Sequence, residues 1–430
     1  MLGCIIACKW RVCEFASLRV CEFAGVRVCE LLTVHCLLFT VYCLRFAAHC
    51  SLFTFSCYNL SMHIGIDGRL PYYRMGGISQ YVLQLLPALA ALDSENRYTV
   101  FHSRKDGRSY RPAAANFRRR VLWTPCHHRW ERWALAAELL RHRLDVFHSP
   151  DFIPPQRGAK RRIITVHDLN FIYYPQFLTD ESRRYYSGQI EWAVQAADHI
   201  AADSHATRSD LIERLQAPPE KVTTIHLAAN PVYGAYYPAA TVDETLARYN
   251  LPRGFILFVG TLEPRKNVPT LIRAYHSLRQ EALVDAPLVL AGGKGWMYDE
   301  IFTTIEALAL RDHVRHLSGV GDEQLAHLYT AAGVLATPSY YEGFGLPALE
   351  AMHCGCPVIA SNRGSLPEIV GPAGVLLDDP DDVPAWAHAI GRVLADSNLR
   401  VQMIARGYAQ ARQFSWERTA AATLDLYCKT

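Results

Sequence analysis

At 430 residues the chain is long enough for two domains, each with a sizeable core. Half of its residues are hydrophobic and a fifth are charged, an ordinary balance for a folded globular protein. A formal net charge of +3 is too small to point to nucleic acid, and no such partner is expected; the run Arg118-Arg119-Arg120 reads as solvated surface.

Residues 1–61 stand apart. Cys4, Cys8, Cys13, Cys21, Cys29, Cys36, Cys43, Cys50 and Cys57 fall within them, spaced by eight and then by seven from Cys13 onward. The text Arg11-Val12-Cys13-Glu14-Phe15-Ala16 returns at Arg19 and, in part, at Arg27. Residues 31–44 are mostly apolar but short of the roughly 20 that a spanning helix needs, and no charged-apolar-cleavage layout marks a secretory signal. A translated tandem DNA repeat, with the true start at Met62, accounts for the period without a structural cause. This Cys-rich leader is therefore expected to lie outside the fold. Beyond it only Cys126, Cys354, Cys356 and Cys428 remain, which suits a reduced, cytoplasmic protein.

From Met62 the pattern becomes regular. A strand at 62–67 leads through a loop holding Gly76 and Gly77 into a helix at 78–92. Further strands are expected at 98–101, 120–123, 145–148, 163–167, 199–202 and 222–227, with helices at 130–141, 180–197 and 204–215. Ser204 is a good helix cap. Trp130 and Trp133 are expected to pack against the sheet, with contact to a membrane surface as the alternative. Residues 228–251, rich in Asn, Pro, Tyr and Gly, read as an interdomain linker. The alternation then restarts with strands at 255–259, 288–291, 314–317, 334–337, 358–361 and 374–377. Helices fill the gaps at 268–279, 298–308, 323–332, 347–353 and 383–394. The last stretch, 398–427, is helical with a break near Phe414. Strand alternating with helix means parallel sheets covered on both faces, so the chain reads as two successive doubly wound α/β domains. Ligands of such sheets bind outside the carboxyl ends of the strands.

Two stretches carry chemistry. Glu342 and Glu350 lie eight positions apart around Gly343-Phe344-Gly345, and Pro347 suits the first turn of a helix. The glycines let backbone approach a ligand closely, and the helix N-terminus favours a phosphate. Glu350 can accept hydrogen bonds from a ribose diol, and Glu342 from the hydroxyls of a transferred sugar. The second stretch, Gly260 to Asn267, sets Arg265 and Lys266 at a strand end. Two fixed cations there suit a diphosphate and stabilise the charge that develops on it as a leaving group, in place of a metal. The acidic run from Asp378 to Asp382 reads as a helix-entry loop. Cys354 and Cys356 read as core thiols.

These two stretches resemble those of the retaining glycosyltransferases called group 1, or family 4, closest in pattern to mannosyltransferases. The resemblance covers 62–427. It includes the Gly76-Gly77 loop, Thr165-Val166-His167-Asp168, Ala291 to Trp296 with Lys294, and Ala360 to Glu368. It implies the GT-B fold, two Rossmann-like domains facing a central cleft. An acceptor-side domain is expected at 62–235, a nucleotide-sugar donor domain at 236–410, and a helix at 411–430 crossing back to the first domain. It further implies that Arg265 and Lys266 hold the donor diphosphate, Glu350 binds the ribose, and Glu342 contacts the sugar. Gly343, Phe344, Gly345 and Leu346 assist through backbone N–H groups, and Gly77 lets its loop approach the diphosphate. His167 is implied as a positioning residue in the catalytic centre. No cofactor or metal is expected. The implied donor is GDP-mannose or a UDP-sugar, and the implied acceptor a saccharide or a lipid-linked saccharide, handled in the cytoplasm at the inner face of a membrane.

Competing readings are a nucleotide-sugar epimerase or a phosphorylase on the same fold, and a non-catalytic sugar-nucleotide-binding module. An NAD-dependent oxidoreductase is disfavoured, because neither first strand leads into Gly-x-Gly-x-x-Gly.

Overall fold

The computed structural model describes residues 61–429 other than 74, 75, 129 and 179, and for 180–185 and 187 the backbone alone. The cysteine repeat of the leader and Arg129 therefore lie outside the described residues.

Two parallel sheets organise the chain. The first holds β1 (His63–Asp67), β2 (Arg97–Ser103), β3 (Phe117–Leu122), β4 (Leu144–Ser149), β5 (Ala159–Val166), β6 (His199–Ala202) and β7 (Val222–Thr224), in the order β3-β2-β1-β4-β5-β6-β7. The second holds β8 (Ile256–Val259), β9 (Leu288–Ala291), β10 (Val314–Leu317), β11 (Val334–Thr337), β12 (Val358–Ser361) and β13 (Val375–Leu377), in the order β10-β9-β8-β11-β12-β13. All four residues of β8, β9, β11 and β12 are buried, as strands covered on both faces must be. In each sheet the strand order reverses beside the first strand, between β1 and β4 and between β8 and β11. The carboxyl ends at such a reversal bound a crevice, so the loops after these four strands are the default ligand-binding loops.

Three sequence expectations need correction. The stretch read as a linker contains the helix Ala239–Tyr249, whose Val242 and Leu246, four residues apart, are buried. Prolines and asparagines at its margins hid that apolar stripe. Trp130 and Trp133 do not pack against the sheet: they are 55% and 43% exposed. The helix Glu131–Leu139 turns Glu131, Leu135, Ala136 and Leu139 inward instead. Glu131 is drawn in by the fully buried Arg69, 2.6 Å away. Trp123, expected at a strand end, lies beyond β3 and is also exposed.

The final helical stretch divides into Ser397–Ala411 and Trp416–Cys428. The latter lies against the helix Gly77–Leu92 of the first half. Tyr427 Oη meets His148 Nδ1 on β4 at 2.7 Å, and Thr419 Oγ1 donates to the His226 carbonyl at 2.7 Å. Among the described residues no helix is long and apolar enough to cross a membrane.

Candidate active site

The loop after β8 turns through the short helix Pro264–Lys266, and the loop after β11 runs from Pro338 to Gly345. Because β8 and β11 are neighbours, these loops meet. Lys266 Nζ lies 2.6 Å from Glu342 Oε1, and Arg265 Nη1 lies 3.1 Å from Glu342 Oε2. Arg265 also holds Glu263 at 2.6 Å and donates to the Tyr341 carbonyl at 2.6 Å. Ser339 Oγ donates to Glu342 Oε1 at 2.6 Å. Burial alone would raise the Glu342 carboxyl, but Lys266 and Arg265 outweigh it and hold the group at about 2. Glu342 is thus a carboxylate at any working pH.

The first half supplies the facing wall. His167 follows β5 directly, and its two ring nitrogens lie 2.6 Å from Asp203 Oδ2 and 2.8 Å from the Pro150 carbonyl. Two acceptors on one imidazole require two N–H groups. Burial works against the charged ring, yet Asp203 prevails and lifts the group to about 9. His167 is therefore a cation with both protons engaged.

Gly343 joins the two walls. A Cβ at this position would overlap the His167 carbonyl oxygen, so only glycine permits the approach. Ser204 Oγ donates to the Gly343 carbonyl at 2.7 Å. Gly345, with φ +93°, then turns the chain into the helix Leu346–His353, whose first turn has no side-chain cap. The helix Gly77–Leu92 likewise begins at an uncapped glycine, Gly76. Neither start is closed by a capping side chain, and the positive end of a helix favours an anion. Phe344 is buried between His226 and Phe414, at ring distances of 6.3 and 5.9 Å.

Glu350 and Leu346 belong to a neighbouring open pocket, bounded by Gln80, Gln84, Tyr233 and Trp416. Tyr329 donates its hydroxyl to Glu350 Oε2 at 2.9 Å. Burial raises the Glu350 carboxyl to about 7 against that hydrogen bond, with Asp322 adding to the rise. Gly77 starts the helix that carries Gln80 and Gln84, and the space where its side chain would stand is open.

Arg265, Lys266, Glu342, Gly343 and His167 thus converge, while Glu350 and Leu346 stand together one helix turn further on. Lys294, at the tip of the loop after β9, is exposed and lies 4.5 Å over the Phe302 ring. Cys356 is buried and Cys354 partly so, as core thiols. Asp382 caps the helix Val383–Ala395. The sequence reading overlooked Asp203, Ser339 and Tyr329. Asp203 stands just past β6, so the strand-end rule that selected His167 applies equally to it.

Comparison with known proteins agrees with this fold. The family described as "Glycosyl transferases group 1" matches residues 247–410, and "Glycosyltransferase Family 4" matches residues 75–232. O-antigen chain mannosyltransferase B of Escherichia coli is 35% identical over 83% of this chain and 96% of its own length. D-inositol 3-phosphate glycosyltransferase of Salinispora tropica is 36% identical over 66% of this chain and 63% of its own. Among solved structures, sucrose-phosphate synthase of Thermosynechococcus elongatus superposes with a TM-score of 0.69 at 26% identity, covering 85% of this chain and 98% of that one.

Proposed function

The chain belongs to the retaining glycosyltransferases of group 1, family 4, with the GT-B fold, and from that premise we propose that it moves mannose from GDP-mannose to a saccharide or lipid-linked saccharide. The family uses nucleotide-sugar donors. The observation that carries the site assignment is the cluster Arg265–Lys266–Glu342, pressed against the His167 strand end through Gly343.

In this reading Arg265 and Lys266 take the donor diphosphate, and Glu342, released from them in part, accepts hydrogen bonds from the sugar hydroxyls. The bond between the anomeric carbon and the leaving phosphate oxygen breaks, and both cations stabilise the charge gathering on that oxygen. The acceptor hydroxyl forms its new bond on the same face, and its proton passes to the leaving phosphate. His167 holds two protons already and serves as a fixed positive group beside the reacting centre, not as a base. The two cations supply the charge that a metal would otherwise bring. Glu350 and the backbone N–H groups from Gly343 to Leu346 hold the nucleotide, and Gly77 opens its helix end to the diphosphate.

Mannose as the sugar rests on the mannosyltransferase among the relatives, and a polymer acceptor on its printed O-antigen role. A site of action at the cytoplasmic face of a membrane is supported by the exposed Trp123, Trp130 and Trp133, with Arg104 and Arg132 stacked on Trp123 and Trp133 at 4.2 and 3.8 Å.

Thermal-shift binding of the full chain to GDP, UDP, ADP and their sugars, with chelator present, tests the donor. A nucleotide at 100 times its Kd stabilises by about 2.7 kcal/mol. A shift with GDP and GDP-mannose, followed by release of GDP when a mannan-type acceptor is added, is the expected result. A shift confined to UDP compounds overturns the mannose reading, and no shift at all overturns the donor site.

A further inference from the structure

Outside the donor loops, three side chains from distant parts of the chain converge at the seam between the two halves. His205 opens the helix His205–Leu215 after β6, and His226 lies two residues past β7. Glu368 sits on the short helix Leu366–Val370, between β12 and β13 of the second sheet. Their nitrogen and oxygen ligand atoms all lie within 4.8 Å of one another. We propose that His205, His226 and Glu368 form a binding site for a zinc-class divalent cation that fastens the seven-stranded half to the six-stranded half.

Two imidazoles and one carboxylate are a donor set for zinc, cobalt or nickel, and a poor one for magnesium or calcium, which prefer oxygen alone. Three protein ligands leave a fourth position for water. The ring of each histidine already presents the correct atom. Thr224 Oγ1 stands 3.1 Å from His205 Nδ1, so a proton held there leaves Nε2 as the lone-pair nitrogen, 3.8 Å from Glu368 Oε1. His226 Nε2 is hydrogen-bonded to the same Oε1, and its ring is wedged against Phe414 at 5.5 Å. The carboxylate is held in turn by the His205 backbone N–H, 2.9 Å from Oε2 and 3.2 Å from Oε1.

Ligand atoms about 2.0–2.1 Å from a tetrahedral ion stand roughly 3.4 Å apart. Reaching that spacing asks for an inward rotation of His205, whose side chain is 70% exposed, and for His226 Nε2 and Glu368 Oε1, now in hydrogen-bond contact, to part and admit the ion between them. Entry from solvent is open on that same side. No ligand pair from one half completes the set, so the ion binds tightly only when the halves meet. The site also touches the donor loop, because the His226 ring faces Phe344. The occupant is a fastener for the closed arrangement, separate from the Arg265–Lys266–Glu342 cluster.

Cobalt titration of the full chain tests this. Thiolates of the leader give cobalt a charge-transfer band in the near ultraviolet, whereas an imidazole–carboxylate site shows only ligand-field bands, so the two are told apart by spectrum. One equivalent of cobalt carrying ligand-field bands without a charge-transfer band is expected, over and above cobalt taken up by leader thiolates. This cobalt should disappear in His226→Ala and Glu368→Gln, weaken roughly 10–100-fold in Thr224→Val, and persist in His276→Ala, a histidine of the helix Val268–Gln280 outside this set. Zinc should raise Tm in the native chain more than in His205→Ala, an exposed substitution that leaves folding intact. Superimposable cobalt spectra for the native chain, His205→Ala and His226→Ala would overturn the proposal and leave these residues as a hydrogen-bonded seam only.

Discussion

Lys266 Nζ and Glu342 Oε1 are 2.6 Å apart, and each side chain is about nine-tenths buried. Ions so placed are stable only together, because each offsets what the other loses on leaving water. Lys266→Ala should therefore lower unfolding free energy by about 1–3 kcal/mol, as Glu342 loses its nearest cation and keeps Arg265 and Ser339. Lys266→Met combined with Glu342→Gln should recover part of that loss while remaining inactive. Urea unfolding of both variants distinguishes the cases; equal stabilities would mean that the pair contributes nothing beyond its separate members.

A pH dependence follows from Glu350. Its carboxyl is raised from an ordinary 4.5 to about 7, so near neutrality it is partly protonated. In the proposed reading ribose hydroxyls donate to the ionised form, so donor binding should release a proton there. Nucleotide affinity should rise between pH 6 and 8, and Glu350→Gln should bind more weakly with a flat profile. Isothermal titration in buffers of differing ionisation enthalpy reads the proton directly. A flat profile in the native chain would remove Glu350 from the ribose.

His167 has the opposite sense. Its folded value, about 9, lies above the ordinary 6.5. The stability it contributes is fully present below pH 6.5 and fades as pH rises through about 9. Asp203→Asn should move the imidazole titration, followed by NMR, downward by more than one unit and flatten the alkaline loss of Tm. Transfer in the native chain should show no rise in kcat from deprotonation of a histidine between pH 6 and 8. Such a rise would restore His167 to the role of base.

Gly343→Ala tests the approach of the two halves. The added methyl would overlap the His167 carbonyl oxygen, so the loop and the β5 end must separate. Transfer should fall at least about 10-fold, equivalent to about 1.4 kcal/mol in the barrier, with helix content unchanged. Retained kcat and acceptor KM would show that the loop has room to yield.

The alternation of apolar runs and helices made both sheets legible, because a parallel strand buried on two faces, such as Ile256–Val259, has no polar position to confuse it. The convergence of Arg265, Lys266 and Glu342 was readable only as a resemblance, since 76 residues separate Lys266 from Glu342. Asp203 and Tyr329 escaped notice because a hydrogen-bond partner drawn from another strand or helix leaves no local spacing. The Ala239–Tyr249 helix escaped for a different reason. Two buried residues on one face are too few to stand out beside flanking prolines and asparagines. Trp130 and Trp133 misled because large aromatics suggest a core, while here the inward stripe is begun by Glu131 under the pull of Arg69.

The return of the Trp416–Cys428 helix to the first half has a mechanical result. The polypeptide passes between the halves twice, once through 225–238 and again through 412–415, and the two passages lie side by side where Trp416 Nε1 donates to the Ala229 carbonyl at 3.0 Å. Two tethers so close together fix an axis. Rotation of one half about that axis would strain the crossings least, whereas sliding or separation would pull on both.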